Sequence, residues 1–429
     1  MTLTTPAQTG TADPRTHPAG RLGWLDALRG FAALTVVCFH LSPMVIGADR
    51  HMAIYRHIDF GKYGVLLFFL VSGYVIPMSL ERHGSLRKFW VGRLFRIYPA
   101  YLVTIALVVA LSVAGLAALP ASMRSDPLTG VLAHATMMGD LLGVRGVVRV
   151  FWTLSYEMTF YLVVAGLFAW RLHRHTGWWA AGLALLALAG PALPNGLFAG
   201  HRTVAAAALL ALMAAAIAAG VTGRHGLAGL FGLAFLVLPA VNAHPGREST
   251  VVASWEGVLL LAVMFAGTVV YRTQHGQLGR WTAGLCLLVV ADCVVGAHAA
   301  YGNGAVWVAT TAAVGLTFAA AFALRRRAVP RVLTRLGAIS YSLYLLHVPV
   351  LFLLARLMPG IGERAGVFRL GFGALFLVLA VAVAGLSYRW IELPAQAFGR
   401  RILRGGGRRI ATQRAVPRTG RRENGPGSV

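Results

Sequence analysis

Arg29 and His40 stand eleven positions apart in WLDALRGFAALTVVCFHL. On a helix, eleven steps of 100° leave them about 20° apart around the axis and roughly 16 Å apart along it. They share a face, with a fixed cation near one end and a titratable imidazole further along. Glu157, in FWTLSYEMTFYLV, lies several residues inside an apolar run. A carboxylate there needs a partner, and His40 reaches a similar depth. In RKFWVGRLFRIYPAY, Arg93 and Arg96 are i,i+3 neighbours beside Arg87 and Lys88. Guanidinium forks suit phosphate, although basic residues also gather at helix ends for topological reasons alone. In LGAISYSLYLLHVPV, Ser340, Tyr344 and His347 fall at 0°, about 40° and about −20°, while Tyr341 lies about 100° off that face. This stripe either lines an acceptor pocket or bonds neighbouring helices. Ser72 and Gly73, mid-run in FFLVSGYVI, mark either a close helix contact or a close approach of backbone to ligand.

The elements that must position these groups are read from composition. Of 429 residues, 57% are hydrophobic and 12% charged, where a soluble chain carries about a quarter charged. The apolar residues form long runs, and a run of about 20 matches a bilayer's hydrocarbon thickness. Helices are the expected spanning element, because membrane strands would alternate polar and apolar residues. The fold class is therefore all-α, a polytopic transmembrane helical bundle of about 10–12 spans. Twelve runs are visible, and the Ala/Leu-rich middle, 177–243, leaves the count open between ten and twelve.

The net charge of +25 invites a nucleic-acid partner until the charges are placed. They sit in short connections and in the tail, so topology explains them better than a nucleic-acid site does. Alternating the spans puts the denser Arg clusters on one side and predicts both termini in the cytoplasm. Residues 1–20 read as a disordered leader, 21–398 as the membrane domain, and 399–429 as a basic disordered tail beside anionic headgroups. Cys38, Cys286 and Cys293 all lie in apolar runs and suggest neither a disulfide framework nor a metal site. Cys38 points about 200° away from His40 around the helix.

Six segments in order resemble the acyltransferase-3 family of integral membrane O-acyltransferases: LDALRGFAALTVVCFH, FFLVSGYVI, GRLFRIYPAY, FWTLSYEMTFYL, LGAISYSLYLLH and SYRWIELP. Residues 177–300 match only in being hydrophobic. The resemblance implies transfer of an acetyl or other short acyl group from acyl-CoA to a hydroxyl of a natural product, sugar or glycan. It implies His40 as catalytic base and Glu157, in the Trp-x4-Glu pattern with Trp152, as the acidic catalytic residue. It assigns Arg29, Arg93 and Arg96 to acyl-CoA. Ser72, Trp152, Ser340, Tyr344 and His347 are then expected to line the acceptor or acyl pocket.

Under that reading a neutral imidazole takes the acceptor hydroxyl's proton as the oxygen attacks the thioester, and Glu157 orients the imidazole as a triad acid does. No cofactor is expected beyond acyl-CoA as co-substrate, and no metal is called for by any ligand pattern. The partners are the donor, a hydroxylated small-molecule or carbohydrate acceptor, and the lipid bilayer. The expected location is the inner (plasma) membrane, multi-pass. A proton-coupled transporter or flippase is the competing class, since it also places His and Glu in the membrane. No inverted repeat supports it. Neither a G-x-S-x-G elbow nor a His-x4-Asp pattern is present; His134 and Asp140 have one residue too many between them.

Overall fold

The computed structural model describes residues 22–414, apart from 245–249, 252 and 303. The predicted leader, 1–20, lies outside the described residues. Seventeen α-helices are described: α1 Gly23–Ile46, α2 Ala48–Tyr55, α3 Phe60–His83, α4 Leu86–Val113, α5 Ala121–Ser125, α6 Pro127–Thr136, α7 Trp152–Ala169, α8 Thr176–Ala187, α9 Arg202–Val221, α10 His225–Ala234, α11 Leu238–Val241, α12 Ser254–Gln274, α13 Arg280–Tyr301, α14 Gly304–Ala323, α15 Arg331–Leu357, α16 Gly366–Ser387 and α17 Leu393–Arg414. No strand occurs among the described residues. Among the described residues, ten helices are long and apolar enough to cross a membrane.

Of the twelve apolar runs, ten give spanning helices among the described residues, inside the expected range of about 10–12, and the reason for the lower number is visible in the structure. The run at 177–194 yields only the 12-residue α8, and that at 227–243 breaks into α10 and α11. Both segments still connect the two ends of the bundle. Thr176, at the start of α8, accepts a hydrogen bond from Arg272, while Leu188, just past its end, accepts one from Tyr301 at the far end of α13. Irregular backbone replaces the missing turns, which is tolerated at membrane depth where protein buries it. The basic tail also departs from expectation. α17 runs to Arg414, so residues 399–414 of the predicted tail fall in a helix, and Phe398 packs edge-on against Phe95 of α4; residues 415–429 lie outside the described residues.

α3, α7 and α12 form the buried centre. α3 and α12 run parallel and are clamped by an ion pair at each end. Lys62 Nζ lies 2.5 Å from Glu256 at one end, and Arg272 pairs with Glu81 at the other. Between the clamps the backbones nearly touch. A Cβ added to Gly73 would stand 1.7 Å from the carbonyl oxygen of Met264, and Thr268 donates to the Gly73 carbonyl at 2.8 Å. The contact reading of Ser72-Gly73 therefore holds for Gly73. Gly73→Ala forces the two central helices apart. We expect a loss on the order of 3 kcal/mol, the upper range for overpacked cores, measured as depleted folded protein in detergent at matched expression.

Residues 137–151 do not skirt the surface but fold into the bundle. Met138, Leu141, Leu142, Val144, Val148, Val150 and Phe151 are all buried. Side chains satisfy the backbone of this plug: Ser155 Oγ donates to Met137 O, Tyr98 to Ala135 O, and Asn242 Nδ2 to Leu141 O. His134 Nε2 accepts from the Val147 N–H. The plug sets the start of α7 deep in the protein, and so carries Glu157 deeper than a surface loop would have left it.

Three groups in or against the plug titrate abnormally. Burial pushes Asp140 up to about 7, although the Thr250 and Val251 N–H groups donate to it. Burial lowers His244 to about 4 and also depresses His134. A histidine lowered in the fold takes its proton first in the unfolded chain, so the stability it lends is lost as pH falls from about 6.5 toward 4. Asp140 acts oppositely, because the fold binds its proton more tightly and loses that advantage as pH rises from 4 toward 7. His244→Gln should therefore make the melting midpoint less sensitive to acid, and Asp140→Asn more sensitive. Melting scans across this window check both signs.

Candidate active site

Two groups of side chains, joined through α7 and α15, gather the predicted residues. The first is basic. Arg29 from α1 and Arg93 and Arg96 from α4 lie close enough that their charges oppose one another, and Glu157 is the carboxylate that offsets Arg29 and Arg93. Arg29 and Arg93 are buried. The Arg93 guanidinium carbon sits 5.2 Å from the Tyr161 ring centroid and 5.6 Å from that of Phe89, a placement favourable to a cation. Arg29 Nε is buried and has no hydrogen-bond partner among the described residues. A cavity of about 330 Å³ opens beside it at the end of the bundle that holds the described termini, lined by Asp26, Arg29, Arg96, Tyr388, Glu392 and Gln396.

Glu392 reaches that cavity because α16 and α17 are joined by a π-helical turn, Tyr388–Glu392. The wider turn brings the carboxylate to 2.5 Å from Ser342 Oγ. Insertions of this kind often mark functional sites. Sequence reasoning missed Glu392, although it lies in the quoted SYRWIELP segment.

Glu157 links this cluster to the interior. It accepts hydrogen bonds from Tyr161, one turn further along α7, and from Ser72 Oγ at 3.4 Å. A small cavity of about 30 Å³ lies against it, lined by Phe68, Ser72, Thr153, Glu157, Tyr341 and Tyr344. The Tyr344 hydroxyl is 2.9 Å from Thr153 Oγ1 and donates to Val150 O at 3.0 Å. Tyr161 was missed, yet an i,i+4 position from Glu157 on one helix face was the available signal.

The second group is a histidine pair. His347 Nδ1 lies 2.9 Å from Tyr344 O and 3.1 Å from Leu343 O. Two carbonyl acceptors assign the proton to Nδ1 and leave the Nε2 lone pair facing His40 Nδ1 at 3.4 Å. His40 Nδ1 is in turn 2.9 Å from Val36 O, so it too carries its proton. This network leaves His40 Nε2 with the lone pair, the tautomer required of a base. The Arg149 guanidinium is a cation that acts on its ring.

Three expectations change. Among the described residues Glu157 does not pair with His40; Tyr161 and Ser72 take the carboxylate, and His347 takes the imidazole. Ser340 does not line the cavity, because its hydroxyl donates to Gly337 O within α15. Tyr341, set aside as off the stripe, lines it instead and donates to Ile97 O at 2.9 Å. The stripe splits: its His347 side meets α1 while Tyr341 and Tyr344 meet α7. Trp152 stands apart from Ser72 and Glu157. Its ring holds Lys62 Nζ at 4.7 Å and faces a vestibule with Asp140, His134, Arg145 and Arg149. Cys38 is exposed, in a groove with Phe31, Leu34 and Tyr55.

Comparison with known proteins agrees with the motif order. The acyltransferase domain family of the acyltransferase-3 type matches residues 22–389. The acyltransferase MdmB of Streptomyces mycarofaciens is 29% identical over 395 residues, covering 89% of this chain and 93% of its own. The putative peptidoglycan O-acetyltransferase YrhL of Bacillus subtilis is 24% identical, over 87% of this chain and 55% of its own. Nodulation protein 10 of Rhizobium leguminosarum bv. viciae is 30% identical over 186 residues, 40% of this chain and 51% of its own. No solved structure matches.

Proposed function

We infer that this chain, which belongs to the acyltransferase-3 family and is a membrane O-acyltransferase, takes its acyl group from acyl-CoA and delivers it to a hydroxyl of a natural product, sugar or glycan. The observation that carries the donor assignment is the buried Arg29 Nε, unpartnered beside two further guanidiniums and opening on a polar cavity. Three clustered guanidiniums, with Glu157 behind them and Asp26 and Glu392 on the cavity wall, suit an anion that arrives from water, and phosphate is matched by the guanidinium fork. The phosphates of CoA fit that cavity at the mouth, with Arg29 and Arg96 on its wall and Arg93 behind them. This reading places the Arg-rich end, with the termini, in the cytoplasm, and the protein in the inner (plasma) membrane.

The acyl thioester then lies inward, toward the Glu157 cavity and the histidine pair. His40 Nε2 accepts the proton of the acceptor hydroxyl as its oxygen attacks the thioester carbonyl. The C–S bond breaks and the CoA thiolate leaves, taking a proton at the end of the cycle. As His40 becomes an imidazolium, its Nδ1–H remains held between Val36 O and His347 Nε2. His347 thus does for His40 what the acid of a triad does, by orientation and by accepting a hydrogen bond. Ser72 and Tyr344, with Tyr341 added by the structure, are the hydroxyl groups available around the thioester.

An acetyl donor accords with relatives named O-acetyltransferases. The test is mass spectrometry of metabolites and surface glycans from cells making the wild-type chain, His40→Ala, Glu157→Gln or no protein, at matched membrane levels. An acyl mass increment present only with wild type is expected, and the increment names the acyl group and its acceptor. An increment that persists in His40→Ala overturns His40 as base. Its absence everywhere, in a host rich in hydroxylated acceptors, favours a transporter.

A further inference from the structure

A second cavity, on the other side of α3 from the candidate active site, is much larger and almost wholly apolar. It holds about 680 Å³ between α12, α13 and α14, with Leu66 and Leu70 of α3 as its floor. Phe68 and Ser72, on another face of α3, line the Glu157 cavity instead. α3 therefore separates the two spaces, and a molecule in the larger one does not reach His40 or Glu157.

The groove exists because its walls are small. Ala283, Gly284 and Ala291 of α13 face Gly315 and Ala319 of α14. A Cβ added to Gly284 or Gly315 would meet nothing within 4 Å. Along α13 the walls run from Arg280 to Val294, about 21 Å at 1.5 Å per residue. One leaflet contributes roughly 15 Å of hydrocarbon, so the groove has the length of a lipid chain that starts at headgroup level. Its polar end supplies that level. Arg280 and Arg325 close the groove there, with Gln274 between the helices. Trp281, beside Arg280, is 92% exposed, as expected of an indole at the membrane–water interface. Arg325 is held in place, its Nη1 donating to Phe322 O at 2.8 Å with the guanidinium 4.0 Å from the Phe322 ring centroid.

We propose that this groove binds one anionic glycerophospholipid, with an acyl chain between α13 and α14 and its phosphate between Arg280 and Arg325. Charge complementarity selects the occupant: two guanidiniums close an otherwise apolar slot, which suits an anionic headgroup above a hydrocarbon chain and not a neutral lipid or a sugar. The lipid fills the gap that the small side chains leave and braces α13 and α14 against the central α12. It is a structural ligand rather than a substrate, and the assignment does not depend on which acyl donor or acceptor the enzyme uses.

The test uses the full chain purified in detergent, with phosphatidylglycerol and phosphatidylcholine of identical acyl chains as probes, read by native mass spectrometry. Arg280→Gln/Arg325→Gln removes the headgroup site, and Gly284→Leu/Gly315→Leu fills the slot while leaving both arginines. Wild type is expected to carry one phosphatidylglycerol, preferred over phosphatidylcholine by about 30-fold, since each basic residue near the surface contributes roughly a factor of five. The arginine pair should bring that preference to about one, and the leucine pair should carry neither lipid; both should keep acyl transfer near the wild-type rate. Equal binding of the two lipids by wild type, or full lipid occupancy in the leucine pair, overturns the proposal. Loss of acyl transfer in the leucine pair with lipid still bound also overturns it, because the groove would then hold a substrate.

Discussion

His40→Ala should lower the turnover number for acyl transfer by about 10²- to 10⁴-fold, the usual contribution of a positioned general base, without a comparable change in KM for the donor. The structure sharpens this expectation by naming the residue behind His40. His347 Nε2 stands 3.4 Å from His40 Nδ1, and its own Nδ1 faces two backbone carbonyls. His347→Ala removes an acceptor for the Nδ1–H of the imidazolium while leaving Val36 O in place. It should cost roughly tenfold, one hydrogen bond's worth, and act on turnover rather than on donor binding. His347→Gln, whose amide oxygen can accept from the same N–H, should recover part of that loss. A merely structural role for His347 predicts the reverse, with turnover per folded molecule unchanged and only the yield reduced. Initial rates at saturating donor, normalised to folded enzyme by size-exclusion chromatography, separate the two.

Much of this pair was legible from spacing. Arg29 and His40 were placed on one face by helix geometry alone, and His347 was read on a face with Tyr344. What spacing does not carry is which helix a face meets. α15 turns its Gly337 and His347 side toward α1, where an added Cβ at Gly337 would stand 1.9 Å from the carbonyl of Asp26. That close approach seats His347 against His40 and swings Tyr341 into the cavity in place of Ser340. The Glu157–His40 pairing failed for a related reason. Depth was inferred by counting residues from a surface loop, whereas residues 137–151 enter the bundle and carry the start of α7 inward with them. Hydropathy found the long helices securely, but it read 177–194 and 227–243 as full spans because broken and unbroken helices look alike when both are buried and apolar. Glu392 was hidden because a π-turn changes the period on which face assignments rest.

Glu157→Gln should be nearly as damaging as loss of the base, by a different route. The glutamine keeps an oxygen to accept from Tyr161 and Ser72, so the hydrogen-bond pattern around residue 157 survives. It removes the carboxylate that offsets the Arg29 and Arg93 charges at this point of the bundle. A nearby opposite charge is worth about 1–4 kcal/mol to a buried cation, which converts to roughly 10- to 10³-fold in binding or rate. With three guanidiniums left facing one another, Arg29 should swing from the path toward His40, and the donor should lose its register. The expected signature is a fall in turnover together with a changed KM for acyl-CoA, where His40→Ala changes turnover alone. Glu157→Asp retains the charge but shortens the reach to Tyr161, so it should recover more activity than Glu157→Gln does. If Glu157→Gln and Glu157→Asp are equally impaired, the carboxylate serves by shape rather than by charge. If instead Glu157→Gln matches His40→Ala in every kinetic constant, with KM untouched, the carboxylate works on the imidazole during turnover, and the resting separation of the two groups closes when substrates bind.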